Sequence, residues 1–274
     1  MAALTLKKIP GPPDLAVDEA GDGPLLVFMH GIGGNRTNWT EQVERFADEG
    51  FRAVAWDARG YGGSDDYDGP LDFSDFSRDL LRLLDHYGVE KAHLCGLSMG
   101  GRIAQDFHAL FPERIATLTL VSTFAGQSNF SPEERERFVA LRLKPLAEEG
   151  KEPKDIAPVV AKTLIGPNAT EAQYQRLVAS MAALHKDSYM KTVRATSMFE
   201  RTADLASIKV PTLLVYGDGD SLTTPEIGQR LHAAIAGSEY VVLPGAGHLV
   251  NLEQPKEFED ILLAFLAKHR DLAY

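Results

Sequence analysis

Short runs of apolar residues alternate with longer amphipathic runs over most of the chain. The short runs are rich in valine, leucine and aromatic residues, and they lack the polar–apolar alternation of a half-exposed strand. Such runs are typical of strands that are buried on both faces, as in a parallel sheet. The predicted strands are Leu25–Met29, Arg52–Trp56, Ala92–Leu97, Thr117–Val121, Thr212–Tyr216 and Tyr240–Leu243.

The amphipathic runs between these strands carry the start and stop signals of helices. Gly88 and Gly237 each follow such a run, and Pro255 precedes one, as expected for residues that end and begin helices. The predicted helices are Trp39–Glu49, Phe73–Tyr87, Met99–Leu110, Glu226–Ala236 and Lys256–His269. This alternation predicts an α/β fold with a mostly parallel, twisted sheet flanked by helices.

One segment interrupts the alternation, because no strand is predicted between residues 127 and 207. Four helical segments are predicted there instead: Pro132–Glu149, Lys154–Thr163, Glu171–His185 and Asp187–Arg201. Roughly eighty helical residues are too many for an ordinary connection between two strands. We therefore expect residues 1–124 and 209–274 to form the core, and residues 125–208 to form a helical cap over the carboxyl edge of the sheet.

Composition and charge narrow the classes of protein and partner. The chain is 44% hydrophobic and 24% charged, which favours a packed domain over disorder. The net charge of −11 disfavours nucleic acid and anionic membrane surfaces as partners. The same charge argues weakly against a highly anionic substrate, unless a local basic pocket overrides it. The longest apolar runs, Leu25–Met29 and Ile261–Ala267, are too short to span a bilayer, and a signal-peptide pattern is absent. We expect a cytoplasmic protein and leave homo-oligomer formation open.

The most specific motif lies between a predicted strand and a predicted helix, where residues 96–100 read Gly-Leu-Ser-Met-Gly. This is the G-x-S-x-G pattern of a nucleophile elbow. Its serine, Ser98, must adopt a strained turn to project above the sheet, and glycines must flank it because a Cβ would collide with the strand and helix. The Met99 N–H would then face a developing negative charge. The alternative is a glycine-rich turn without chemistry.

A second glycine-rich loop follows the first predicted strand, where residues 30–34 read His-Gly-Ile-Gly-Gly. Glycines at the end of a strand allow main-chain N–H groups to approach a ligand closely. We expect the Ile32 N–H to be the second donor of an oxyanion hole, together with that of Met99. His30 is expected to orient the loop rather than to catalyse. The alternative is a tight turn into the next helix.

A serine hydroxyl needs a base, and His248 is the histidine best placed to supply one. It follows a predicted strand in a loop where residues 244–249 read Pro-Gly-Ala-Gly-His-Leu, so it should emerge at the same sheet edge as Ser98. The base needs a carboxylate partner. Asp220 and Asp218 compete for that role after the strand Thr212–Tyr216. Asp220 is preferred because Asp218 directly follows the strand-end glycine, where a local turn is expected.

Five ordered segments resemble the α/β-hydrolase superfamily: residues 30–34, 57–64, 96–101, 217–220 and 245–248. The chain is most similar to the esterase and enol-lactonase branch, which includes proteins like 3-oxoadipate enol-lactonase and cofactor-free haloperoxidases. The resemblance implies a serine nucleophile at Ser98, and it argues against the dehalogenases and epoxide hydrolases, which have aspartate there. The spacing from Asp220 to Pro225 is a residue longer than the commonest family form, which keeps Asp218 open. No metal or cofactor motif is present.

The leading hypothesis is a serine hydrolase that cleaves a small carboxylic ester or lactone through an acyl-enzyme. One alternative is hydrolysis of a carbon–carbon bond in a diketone ring-fission product. Another is a hydrolase-like ligand receptor with slow turnover. Apolar residues are expected to line a pocket between core and cap, although cap methionines could simply pack helices. The predicted lining residues are Phe124, Met181, Met190, Met198, Leu222 and Leu249.

Overall fold

A computed structural model describes residues 3–126 and 131–273, in which eight strands form one sheet. In chain order the strands are β1 (Thr5–Ile9), β2 (Leu15–Ala20), β3 (Leu25–Met29), β4 (Arg52–Trp56), β5 (Ala92–Leu97), β6 (Ile115–Val121), β7 (Thr212–Gly217) and β8 (Glu239–Leu243). Their order across the sheet is β1-β2-β4-β3-β5-β6-β7-β8. From β4 to β8 all neighbours are parallel, so the predicted fold class is confirmed.

Strands β1 and β2 were not predicted from the sequence, and they form the antiparallel edge of the sheet. Four of the five residues of β1 are exposed, and β2 contains Asp18 and Glu19. Such edge strands are not continuously apolar, so the pattern that predicts the central strands does not indicate them. Asp18 is buried, and its carboxylate pairs with Arg36 at 3.0 Å. The polar side chain is therefore accommodated by a partner distant in the sequence.

Ten α-helices surround the sheet within the described ranges. They are α1 (Thr40–Asp48), α2 (Ser74–Tyr87), α3 (Met99–Leu110), α4 (Pro132–Ala147), α5 (Pro153–Leu164), α6 (Glu171–Ala182), α7 (Lys186–Ser197), α8 (Pro225–Ala234), α9 (Val250–Glu253) and α10 (Pro255–Ala267). Helix α2 ends at Gly88, whose φ of +64° is the left-handed conformation that glycine adopts freely. Only the four-residue helix α9 lacks a predicted counterpart.

The centre of the sheet is covered on both faces. Every residue of β3, β5, β6 and β7 is buried. Helix α1 packs against α10, and α2 packs against α3, while α8 contacts β7. Because side chains on a strand alternate between faces, complete burial requires helices on both sides of the sheet. This arrangement leaves the carboxyl ends of the parallel strands as the edge at which loops can build a site.

The helices α4 to α7 form an insertion between β6 and β7. Its two ends meet, because Gly126 and Glu200 form an antiparallel bridge and the Arg201 N–H donates to Ala125 O at 2.6 Å. Helix α6 reaches the loop after β3, where Ser180 Oγ lies 3.2 Å from Gly33 O. The insertion therefore contacts the loops at the carboxyl edge of the sheet. The division at residues 125–208, and the role as a cap, stay predictions.

Two further features concern the described residues as a whole. Across residues 3–126 and 131–273, no helix combines the length and apolar character needed to cross a bilayer. In the same ranges, three or more histidine, cysteine, aspartate or glutamate side chains do not gather into a group that could hold a metal ion.

Candidate active site

Ser98 occupies the sharp turn between β5 and α3. Its φ of +53° and ψ of −108° are unusual for a residue with a side chain. The turn is held by hydrogen bonds on both sides of the peptide unit. The Ser98 N–H donates to Val121 O at 2.8 Å, and Ser98 O accepts from Thr123 Oγ1 at 2.7 Å. The neighbouring strand β6 and the loop after it therefore keep a strained backbone in place.

The glycines around Ser98 are required by close backbone contacts. A Cβ on Gly96 would lie 2.3 Å from the main chain of Gly100, and a Cβ on Gly100 would lie 2.2 Å from Met29 O. A Cβ on Gly101 would lie 2.7 Å from the Thr123 side chain. The sequence predicted this steric reason for the flanking glycines. The structure adds that the limiting contacts at Gly96 and Gly100 are with main-chain atoms, which cannot move aside easily.

Substitution of Gly100 should therefore be costly. We expect Gly100→Ala to lower the free energy of unfolding by about 3 kcal/mol, because strand β3 and helix α3 would have to separate. Gly88→Ala is the matched control: a Cβ there meets nothing within 4 Å, and only its φ of +64° is unfavourable. That strain should cost about 1 kcal/mol. Urea unfolding measures both, and equal losses would show that packing at the elbow is not limiting.

The glycine-rich loop after β3 is oriented by His30. This histidine is fully buried, and its Nδ1 lies 2.8 Å from Gly31 O while its Nε2 accepts from the Ala58 N–H at 3.1 Å. Nδ1 therefore carries the proton. Burial lowers the pKa of His30 despite the nearby Asp57, so the ring is neutral at pH 7. His30 thus ties the loop to the turn after β4, in agreement with its expected orienting role.

Two main-chain N–H groups beside Ser98 are available to a ligand. Those of Ile32 and Met99 donate to no acceptor among residues 3–126 and 131–273. Met99 is the first residue of α3, where the partial positive charge of the helix end adds to the donor. The loop passes close to Ser98, since a Cβ on Gly31 would lie 3.4 Å from Ser98 Cβ. That these two groups form an oxyanion hole stays a prediction.

His248 and Asp220 form a buried hydrogen bond. The His248 Nδ1 lies 2.8 Å from Asp220 Oδ2, and each residue is 4% exposed. Burial alone would raise the pKa of Asp220, but hydrogen bonds from His248 and Thr223 outweigh it and the pKa is lowered. The carboxylate is therefore ionised at neutral pH. It can hold His248 with its proton on Nδ1 and stabilise the imidazolium form.

Asp218 has a different position from Asp220. Its side chain is exposed and accepts a hydrogen bond from the Gly245 N–H at 2.6 Å. Asp220 instead turns inward, where its Oδ1 accepts from the N–H groups of Leu222 and Thr223 at 2.8 and 3.0 Å. Sequence spacing left Asp218 and Asp220 as alternative partners of His248. The directions of their side chains distinguish them, because only Asp220 contacts His248.

Two polar residues of this cluster were missed by sequence reasoning. The Thr223 hydroxyl donates to Asp220 Oδ2 and lies 3.2 Å from His248 Nδ1. The Glu253 carboxylate accepts from the N–H groups of Gly247 and Leu249, on both sides of His248. Thr223 could have been suspected, since aspartate often bonds the main chain a few residues further on. Glu253 carried no such signal.

Ser98 lies where two cavities meet. One cavity, of about 460 Å³, is lined by Ser98, His248, Gly31 and Ile32 among others. The other, of about 500 Å³, is lined by Ser98 but not by His248. No hydrogen bond joins Ser98 to His248 in the described part of the chain, and catalytic contacts often tighten only when substrate binds.

Four of the six predicted lining residues border these cavities. Phe124 lines the larger cavity, Met181 and Leu249 line the smaller one, and Leu222 lines both. Met190 and Met198 line neither of these two cavities. Both lie at α7, which faces the larger cavity through three other residues: Val193, Thr196 and Ser197. Met198 follows Thr196 by about 200° around the helix and is 66% exposed.

The larger cavity also contains two arginines that were not predicted. Arg102 lies on α3, one turn after Ser98, and Arg142 lies on α4. Arg102 is 6% exposed. The sequence could have indicated Arg102, because it lies in an apolar helical run directly after Ser98. A charged side chain is rarely buried in such a run unless a partner or ligand compensates its charge.

Comparison with known proteins agrees with this fold. The sequence model of the family described as alpha/beta hydrolase fold matches residues 24–255. The chain therefore belongs to the α/β-hydrolase family.

Similar proteins within that family carry several activities in their names. A 2-hydroxy-6-oxononadienedioate/2-hydroxy-6-oxononatrienedioate hydrolase from Klebsiella pneumoniae is 31% identical over 265 residues, which cover 92% of this chain and 90% of the relative. 3-Oxoadipate enol-lactonase 2 from Acinetobacter baylyi is 30% identical over 250 residues, 90% of each chain. A malate-bound thermophilic esterase from Thermogutta terrifontis is 30% identical, with a TM-score of 0.87 over 97% of this chain and 99% of that one.

Proposed function

We propose that this protein is a serine hydrolase that cleaves a small carboxylic ester or lactone through an acyl-enzyme. The observation that carries the proposal is the buried hydrogen bond between His248 and Asp220 beside a cavity that Ser98 also lines. A histidine held in this tautomer leaves Nε2 free to act as a base. The similarity to an enol-lactonase and an esterase supports the same chemistry.

In the proposed mechanism, the Ser98 oxygen attacks the carbonyl carbon while His248 Nε2 takes the hydroxyl proton. The carbonyl oxygen becomes negative and is stabilised by the N–H groups of Ile32 and Met99. His248 then returns the proton to the departing alcohol oxygen, and the carbon–oxygen bond breaks. A water molecule, deprotonated by His248, then attacks the acyl carbon. The bond from that carbon to the Ser98 oxygen breaks, His248 returns the proton to Ser98, and the acid is released. Asp220 stays ionised throughout and orients His248.

Carbon–carbon bond hydrolysis is the second candidate function, and one observation favours it. The relative from Klebsiella pneumoniae is named as a hydrolase of 2-hydroxy-6-oxononadienedioate, and it matches over nearly the whole chain. The same serine, histidine and oxyanion donors could act on a diketone. The two candidates therefore differ in substrate rather than in nucleophile. Cleavage of a diketone would in addition need polar groups that stabilise an enolate.

Two measurements test the proposal. Labelling with a fluorophosphonate followed by peptide mass mapping should place the probe on Ser98, because only an activated serine reacts quickly. A panel of aryl esters, lactones and vinylogous diketones should give its highest kcat/KM with an ester or lactone. Preference for the diketones would replace the proposal by the second candidate. Absence of labelling, with tight ligand binding but turnover below about one per minute against a typical ~10 s⁻¹, would favour a receptor.

The cellular location and assembly remain predictions. A cytoplasmic location, a small-molecule partner and the open question of a homo-oligomer stand as stated from the sequence, and subcellular fractionation and light scattering measure them directly.

A further inference from the structure

We propose that Arg102 and Arg142 bind a carboxylate on the acyl portion of the substrate, so that the substrate class is a half-ester or carboxylate-bearing lactone of a small dicarboxylic acid. The inference rests on the proposed function, because it assigns the substrate of the same site. It adds a recognition element that the reaction itself does not need.

The Arg102 guanidinium is buried and held in a fixed position. Its Nη1 donates to Thr196 O at 3.2 Å, and its central carbon lies 4.7 Å from the centre of the Phe124 ring. Its Nε has no hydrogen-bond partner among the described residues, although it is buried. A guanidinium has several N–H donors, and one contact with a carbonyl leaves most of them unused. Such a group is poised for an acceptor that enters the cavity.

A counter-ion for Arg102 is missing from the described residues. Three other arginines that are at least partly buried pair with carboxylates: Arg36 with Asp18 and Asp57, Arg59 with Asp79, and Arg201 with Asp106. The half-buried Arg270 instead donates to the main-chain carbonyls of Glu49 and Gly50. Arg102 and Arg142 form no ion pair within residues 3–126 and 131–273. The few residues outside those ranges include no aspartate or glutamate. A buried charge without a partner is costly, so it points to a ligand that supplies the partner.

The second arginine strengthens the case for an anion. Arg142 reaches the same cavity from α4 and also borders the smaller cavity. Burial, and then repulsion from Arg142, lowers the pKa of Arg102 to about 10. Arg102 is still charged at pH 7, so two like charges face one cavity in a protein with a net charge of −11. A carboxylate between them would relieve the repulsion and accept hydrogen bonds from both.

The positions of the two cavities indicate which end of the substrate carries the charge. His248 must reach the leaving-group oxygen, so the leaving group belongs on the side of the smaller cavity, which His248 lines. Arg102 lines only the larger cavity. The acyl chain therefore extends from Ser98 into the larger cavity, where its far end meets Arg102. Phe138 and Val193 supply apolar wall along that path.

A matched set of three aryl esters tests this assignment. 4-Nitrophenyl hydrogen glutarate carries a carboxylate on the acyl chain, 4-nitrophenyl pentanoate lacks it, and 4-carboxyphenyl pentanoate carries it on the leaving group. We expect the wild-type kcat/KM to favour the glutarate ester over the pentanoate ester by about 100-fold, and to show no such gain for the third ester. Rates with Ser98→Ala are subtracted, because glutarate half-esters also react without enzyme.

Variants then connect the preference to the two arginines. Arg102→Met should reduce the preference to about 1, and Arg102→Lys should retain part of it because the charge stays while the planar fork is lost. Arg142→Gln, at a half-buried position, should reduce the preference about tenfold and keeps the test valid if Arg102→Met does not fold. Arg137→Gln, on the same helix and exposed, is the control and should leave the preference unchanged.

A binding measurement separates this inference from the proposed function. In the Ser98→Ala background, calorimetry with monomethyl glutarate should show binding that Arg102→Met weakens at least 30-fold. Binding of this kind without hydrolysis by the wild-type protein would refute the proposed function and leave the carboxylate site standing. Equal kcat/KM for the charged and neutral acyl chains, in an active wild-type enzyme, would overturn the carboxylate site. So would a preference that both Arg102→Met and Arg142→Gln leave intact.

Discussion

Ser98→Ala is expected to lower kcat with an aryl ester by about 10³- to 10⁶-fold, and His248→Ala by a similar factor. Each substitution removes a member of one unit, since the hydroxyl is a weak nucleophile without the base and the base has no function without the hydroxyl. The double variant should therefore be little worse than either single variant. Steady-state kinetics gives the loss, and thermal unfolding followed by circular dichroism shows that the fold survives.

The chain offers a matched control in Ser122. This serine is also buried and also has a left-handed φ, of +43° against +53° for Ser98. Its N–H donates to Val215 O at 2.9 Å, as that of Ser98 donates to Val121 O. Ser122 lines neither cavity beside the elbow. Ser122→Ala should keep kcat within a few-fold of wild type, whereas near wild-type turnover in a folded Ser98→Ala protein would remove the basis for the proposed mechanism.

Asp220→Asn should lower kcat by about 10⁴-fold, and Asp218→Asn should change it only a few-fold. An amide at position 220 can donate to His248 Nδ1, which favours the tautomer with its proton on Nε2, the wrong nitrogen for a base facing Ser98. It also removes the charge that stabilises the imidazolium. Asp218 contacts the Gly245 N–H and does not contact His248, so its loss affects only the loop.

The two aspartate variants form their own control, because they lie two residues apart and make the same chemical change. Their kcat values with one ester, together with their melting temperatures, distinguish the roles. If Asp218→Asn lost activity while Asp220→Asn kept it, Asp218 would be the acid and the loop would have to rearrange. If neither lost activity, His248 would not depend on a carboxylate, and the proposed triad would be wrong.

Much of the fold could be predicted because its signals are local. Six of the strands were predicted from continuous apolar runs, since the central strands are buried on both faces. Strands β1 and β2 were not predicted, because an edge position tolerates polar residues. The charge of the buried Asp18 is balanced by Arg36, which lies in another segment of the chain. The pocket was predicted less well. Hydrophobicity alone did not show that Met198 points to solvent, or that Arg102 is buried beside Ser98.

The sequence by itself determined the α/β alternation, the helical insertion, and the elbow glycines around Ser98, because each depends on neighbours within a few residues. Tertiary structure decided what depends on convergence of distant segments. It turned Asp220 rather than Asp218 toward His248. It brought the Glu253 carboxylate within hydrogen-bond distance of the Gly247 N–H, next to His248. It also buried the charged Arg102 without a carboxylate partner. The physical reason is that a hydrogen bond or an unpaired charge is defined by direction and distance across the fold, which residue spacing does not encode.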